Sequence, residues 1–506
     1  SLQVDKFKAK IPFRYSPLNA ITGVNLNTGG GIAPMPSGQF FIDSTKVYVH
    51  YSGRKAMMVE ATWRYFHRWI RAAKNGKPLP FIDIQVIREK QEWKKLLEMA
   101  SLENLKKLGY KMRTFFIPSL FQMMLSRTLF DFRRKIECGN VIRIGMNFWY
   151  GGALNLYNFM NGDNPDIFWA DGDIEKLDKH ISDWMLMLYV ASGSRYFNWS
   201  CMEKNAKTFL EYLIKTLMYH ISHKVVLHLG SYFVFMRGVM YSGGLETSHG
   251  DSWIMALIFY LFIVYKTTMY PHIREAVYYF TERGWIRIAV YGDDHIWCCP
   301  KVFREIINVK EFARFLSEVI HMNLRDAAEY DSFLSVVNFT TGEFVKKGPV
   351  FLKRRFIESN DPSISTVVSY KSTSEIMVSL LTKEHDQKLN VSYDPVDMML
   401  SCIGQAYDTY GTNVLAYHFV SETYKAIGLR FPIVMPHLAI RDCLNDPSKR
   451  IKINRLMRRV GMSEKEVFLV FPTLRLLRAR NVYDEVKSNF LYHEEIDYND
   501  YLVEDW

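Results

Sequence analysis

The stretch Val290–Trp297, VYGDDHIW, sets two adjacent aspartates behind a glycine and between apolar runs. Trp285–Val290 (WIRIAV) and Ile296–Cys299 (IWCC) read as two strands of a hairpin, and the Gly-Asp-Asp between them has turn chemistry. Neighbouring carboxylates repel each other and are stable as anions only beside a compensating cation. Magnesium suits this role. It takes oxygens from one or two carboxylates and from substrate phosphates, and paired ions about 4 Å apart clamp the attacking and leaving oxygens of phosphoryl transfer. Two ions, Mg2+ or Mn2+, need more carboxylate than one turn supplies, so a second acidic site is expected.

DIEKLDKHI, Asp173–Ile181, supplies it. Ile167–Ala170 (IFWA) reads as a short buried strand ending in Asp-Gly-Asp, so that Asp173 closes the strand and Asp178 begins a helix. Either acidic element alone is ordinary hairpin or cap chemistry. The two gain weight from a third motif between them, YSGGLETSHGDSW at Tyr241–Trp253. There a Ser-Gly-Gly loop leads into Thr247 and Asp251, whose spacing puts both on one face of a helix. The bland reading is a Gly-rich turn with a Thr cap; the functional one is a mobile loop approaching a nucleotide, with polar side chains that test its sugar.

Composition frames these motifs. With 506 residues, 48% hydrophobic and 15% aromatic, the chain can bury a large core divided over several subdomains. Its 64 Lys and Arg outnumber 53 Asp and Glu, a net charge of +11 that favours a polyanionic partner or an anionic membrane surface. The longest apolar run, Ile254–Tyr265, has 12 residues against the roughly 20 needed to cross a bilayer, so a buried helix is expected there. The opening SLQVDKFKAKIPFRY has no initiator Met and no secretory signal pattern, as in a protease product or a trimmed chain. Six scattered cysteines without a CxxC pair predict free thiols in a reducing compartment, and His220, His223 and His228 read as core or surface residues. Residues 57–76 and 90–110 look helical and basic, and the pattern after Ser363 is mostly helical, closing in the acidic EEIDYNDYLVEDW.

Together these motifs resemble those of viral RNA-dependent RNA polymerases, over most of the chain and in that family's order. The Asp173 segment is similar to motif A in tombusvirus-like and nodavirus-like versions, the Tyr241 loop to motif B, and YGDD to motif C. Val350–Phe356 (VFLKRRF) resembles the picornavirus-type motif E, Lys111–Pro118 (KMRTFFIP) resembles motif F, and Asn27–Pro34 (NTGGGIAP) resembles motif G where the template enters. The resemblance implies an α+β right hand: fingers at 1–165, a palm at 166–358 whose antiparallel sheet packs on helices, with an inserted fingers segment around 182–235, and a mostly helical thumb at 359–506.

It also implies roles. Asp173 and Asp293 hold both metals with Asp294 as auxiliary ligand; Lys111 and Arg113 neutralise the triphosphate; Asp178, Ser242, Gly243, Thr247 and Asp251 form the nucleotide's ribose pocket. Lys353 and Arg354 grip the nascent strand, and Thr28 and Gly29 touch the template. The implied partners are template and product RNA, rNTPs, and other viral replication or capsid proteins, with no transmembrane segment. The implied location is a replication complex in the host cytoplasm or the inside of a virus particle.

Two positions depart from the family pattern. Asp251 stands where motif B usually has Asn, although partitivirus-like polymerases resemble this chain in carrying Asp-Ser; an ionised Asp accepts hydrogen bonds but cannot donate them. The motif D region offers Arg325 in place of a proton-donating Lys, with Lys346 and Lys347 as alternatives by position. A reverse transcriptase shares the Tyr-x-Asp-Asp turn, but the S-G-x3-T loop and FLKRRF favour the RNA polymerase. A non-catalytic RNA-binding protein with the same fold would have no need for intact Asp173, Asp293 and Asp294. Arg127–Lys135 suits either a nucleic-acid channel or a solvated helix face, and Asn454–Arg459 and Arg475–Arg480 suit contacts to exiting duplex.

Overall fold

The computed structural model describes residues 33–34, 40–41, 55–77, 84–92, 111–130, 132–228, 232–240, 247–381, 395–431, 471–485 and 487–488. Thr28, Gly29, Ser242, Gly243, Cys443, Asn454–Arg459 and the acidic tail lie outside these residues. The first ladder is β1 (Ala33–Pro34) against β2 (Phe40–Phe41). The helix Lys55–Lys74 follows, burying Tyr65, Phe66, Trp69, Ile70 and Ala73 along one stripe, with Trp69 edge-on to Phe121 of the helix Leu120–Phe130.

β3 (Ile84–Glu92) pairs antiparallel with β4 (Lys111–Ile117). After β5 (Ile167–Ile174), the chain forms β6 (His223–His228) and β7 (Tyr232–Arg237), and β6 joins β3 in parallel, giving a sheet of order β4-β3-β6-β7. A segment following β5 is thereby stitched to the N-terminal strands. Residues 90–92, expected in a helix, are strand; the ladder to β4 overrides the helical look of their charged side chains.

The central sheet has order β10-β5-β9-β8 and is antiparallel throughout, with β8 (Arg287–Tyr291), β9 (Asp294–Pro300) and β10 (Leu324–Tyr330). Strand alternation sends Phe168, Ala170 and Ile174 with Val290 and Trp297 into one core, and Ile167 and Trp169 with Ala289 and Ile296 into another. The first core is closed by the central helix Thr247–Met269, which packs on β8, and by the helix Val309–Phe315. That central helix, at 23 residues, is by length and composition able to cross a membrane, but 61% of its apolar window is buried inside the protein. It extends past the 12-residue apolar stretch at both ends, and at the C-terminal end it carries the buried Lys266, paired with Glu311.

Beyond the central sheet lie two short ladders, β11 (Val336–Asn338) with β12 (Glu343–Lys346), and β13 (Arg355–Glu358) with β14 (Val367–Tyr370). β14 interrupts the helical pattern expected after Ser363. The helices Thr373–Leu381, Pro395–Asp408 and Val414–Arg430 then share a small core of Ile376, Met399, Cys402, Ala406, Ala416 and Val420. Asn413 caps the last of them, its side chain accepting from the Ala416 amide at 3.0 Å.

Candidate active site

The hairpin turn is tighter than the sequence reading drew it. Tyr291 pairs with Asp294, so only Gly292 and Asp293 form the turn, and Gly292 takes φ +67°, a left-handed conformation that glycine adopts without steric cost. The turn is pinned from below: the Gly292 amide donates to Ser252 Oγ at 2.7 Å, and that hydroxyl donates to Ser248 O one helical turn back. Ser252 was missed as a positioning residue, although the Asp-Ser pair it belongs to was in view.

Strand register assembles the acids. Asp173 is directly opposite Asp294 on β9 and directly opposite Arg325 on β10, while Asp294 is also opposite Tyr291. Arg325, Asp173, Asp294 and Tyr291 therefore form one row across four strands on one face, with Asp293 at the hairpin tip. The crowding has electrostatic consequences. Burial, and then the charges of Asp293, Asp173 and Asp171, push the Asp294 carboxyl up to about 7 against the pull of the Leu352 backbone N–H. Partial desolvation and then Asp173 raise Asp293 as well.

Asp178 sits in the short helix Leu177–His180, and Thr247 and Asp251 begin the central helix, as expected. Asp251 is buried with Oδ1 unpartnered, and burial followed by the charges of Asp178 and Asp293 holds its carboxyl well above the usual range. A carboxyl that keeps its proton both donates and accepts, as Asn does. Between Thr247 and Asp251 lies a buried linkage. His249 Nδ1 is 2.9 Å from the Tyr189 hydroxyl, and Nε2 lies 3.0 Å from Glu137 Oε2, while Arg133 chelates Glu137 Oε1 at 2.9 and 3.1 Å. Desolvation opposes the Glu137 charge, but Arg133 and His249 more than offset it and hold that carboxyl near 2. Arg133 is thus a buried clamp, which corrects both the channel and the solvated-face readings of Arg127–Lys135 for this residue.

The VFLKRRF segment makes a tight turn with Leu352 (φ 53°) and Lys353 (φ 57°) both left-handed, closed by reciprocal hydrogen bonds of Phe351 and Arg354 at 2.9 and 3.0 Å. Such strain in non-glycine residues persists where surrounding structure holds it. Two carboxylates of the central sheet do so: Asp171 accepts from the Val350 amide at 2.6 Å, and Asp294 accepts from Leu352. Lys353 is exposed at the turn, whereas Arg354 is buried, ion-paired with Asp408 at 2.6 Å beneath the Tyr410 ring. Arg480 is likewise buried, lying over the Trp149, Tyr150 and Tyr407 rings, while Arg475 and Arg478 of the same stretch are exposed. Lys111 and Arg113 lie two apart on β4; the positions of their side chains lie outside the described residues.

Asp173, Asp293 and Asp294 fit a divalent cation by residue type and register, as hard oxygen donors whose mutual repulsion such a charge relieves. Among the described residues no three His, Cys, Asp or Glu side chains converge ready to ligate; Asp173 Oδ2 is held by Arg325 and Asp294 accepts from Leu352.

The fold is that of a viral RNA-dependent RNA polymerase. It is similar to the solved structure of the Sicinivirus 3Dpol RNA dependent RNA polymerase, with a TM-score of 0.54 and 13% sequence identity over 91% of this chain and 84% of that one. No family model and no curated protein matches the chain.

Proposed function

We propose that this chain is an RNA-directed RNA polymerase that copies a viral RNA genome from rNTPs. The observation that carries the proposal is the cross-strand row of Asp173 and Asp294, with Asp293 on the adjoining tight turn. The central sheet with its helices is the palm in this reading, the sheet of β3, β4, β6 and β7 belongs to the fingers, and the C-terminal helices form the thumb.

Asp173 and Asp293 hold the divalent ions, with Asp294 assisting. Mg2+ or Mn2+ bound there supplies the charge that acidifies the primer 3′-hydroxyl and neutralises the departing pyrophosphate. Asp251, in its neutral form, donates to and accepts from the ribose hydroxyls beside Asp178 and Thr247, with Ser242 and Gly243 in the preceding loop. Lys111 and Arg113 neutralise the triphosphate, Lys353 meets the backbone of the nascent strand, and Thr28 and Gly29 meet the template. The protein's contribution is positioning and charge compensation.

The test is incorporation on defined RNA templates: each template base should dictate the incorporated rNTP, and dNTPs should be used at least about tenfold less efficiently. Incorporation indifferent to template sequence, or a preference for dNTPs, refutes the assignment.

A further inference from the structure

We propose that Arg325 is a built-in competitor for the metal-binding carboxylate of Asp173, a guanidinium latch that withholds one of its two oxygens from a divalent ion. The inference rests on the metal-site reading above. Arg325 Nε and Nη2 both donate to one oxygen, Asp173 Oδ2, at 2.8 and 2.5 Å. A carboxylate oxygen held by two charged N–H groups has its lone pairs directed at them, so the same oxygen cannot also face a cation. Ligation of a metal by Asp173 then requires either its other oxygen or release of the arginine.

Arg325 and Asp173 are direct cross-strand partners, and the strand becomes irregular just beyond them. Register between β10 and β5 shifts immediately after Arg325, between Arg325 and Ala328, and Asp326 in that bulge takes the left-handed φ of 50°. Bulges next to functional sites re-aim a side chain, and this one follows the residue that reaches Asp173. The Arg325 side chain is 51% exposed and that of Asp173 32%, so screening leaves the pair little value as a stability device. An exposed latch also releases without disturbing the core.

The test is a Mn2+ titration of the full chain without RNA or nucleotide, following the EPR signal of free Mn2+. Arg325→Gln and Arg325→Lys should each bind Mn2+ about two- to fivefold more tightly than the parent. Arg325→Lys keeps the charge but loses the two-pronged hold, so unchanged affinity in that variant reduces the effect to charge alone and overturns the latch. Unchanged or weaker affinity in Arg325→Gln also overturns it. In an Asp173→Asn background, Arg325→Gln should bring no tightening; equal tightening there moves the effect away from Asp173 and contradicts the proposal. If the parent and Asp173→Asn bind Mn2+ alike, the metal site itself fails, and the latch with it.

Discussion

Asp173 and Asp294 stand directly opposite each other on neighbouring antiparallel strands, and the Arg325 guanidinium flanks the first of them from the next strand. Sheet pairing therefore brings together two acids from separate sequence motifs. The same register makes the site a place of stored repulsion, from which several outcomes follow.

The first concerns pH. Asp294 titrates near 7 in the folded chain against an ordinary value of 3.8, so the native state binds its proton more tightly than the unfolded state. That stabilisation is complete below about pH 4 and is lost as pH rises through about 7. In chelator, Tm should fall over this range by several degrees, and Asp294→Asn should flatten the fall; a Tm that rises with pH equally in both proteins contradicts the assigned direction.

Asp251→Asn tests the neutral-acid reading. Because burial and the charges of Asp178 and Asp293 hold the Asp251 carboxyl high, the amide preserves its donor and acceptor pattern. Incorporation should stay within about threefold of the parent, whereas Asp251→Ala should lose about tenfold in rNTP over dNTP preference. Equal damage from both changes means that the negative charge of Asp251 is what matters.

Ser252→Ala removes the acceptor for the Gly292 amide. Leaving that donor unpaired costs about 1–3 kcal/mol and loosens the turn that carries Asp293. Turnover should fall by about tenfold with little change in KM for rNTPs; an unaltered rate shows that the turn is held by its own backbone.

Lys353 and Arg354 separate by burial. Arg354→Ala removes the nearer cation from buried Asp408, whose Oδ2 keeps Lys371 at 3.6 Å, and should destabilise by about 1.5–3 kcal/mol in a denaturation experiment. Lys353→Ala should barely alter stability but reduce the slope of log RNA affinity against log salt by about one. A lowered slope in a folded Arg354 variant, with none for Lys353, reverses these roles.

The hairpin and the motif order were legible in the sequence because they are local: apolar strand residues flank a glycine that tolerates positive φ, and Thr247 and Asp251 obey helical spacing. The contacts of basic residues were not. Nothing local to RTLFDFRRK says that Arg133 folds inward onto Glu137, and nothing in VFLKRRF separates a buried Arg354 from an exposed Lys353, because their partners arrive from distant elements. The Arg325 contact depends on the register of β10 against β5, which periodicity does not encode, and Asp171 reads as part of the Asp-Gly-Asp run until its bond to the Val350 amide is seen. Residues 90–92 carry a charged, helix-like sequence that long-range pairing turns into strand.

The most direct measurement of the central claim is single-turnover rNTP incorporation on a primed RNA template with Mg2+ or Mn2+, comparing the parent with Asp293→Ala. Incorporation should drop by at least about a thousandfold while RNA affinity is retained, with Asp294→Ala less damaged. Incorporation by Asp293→Ala at a rate near the parent's would contradict the account.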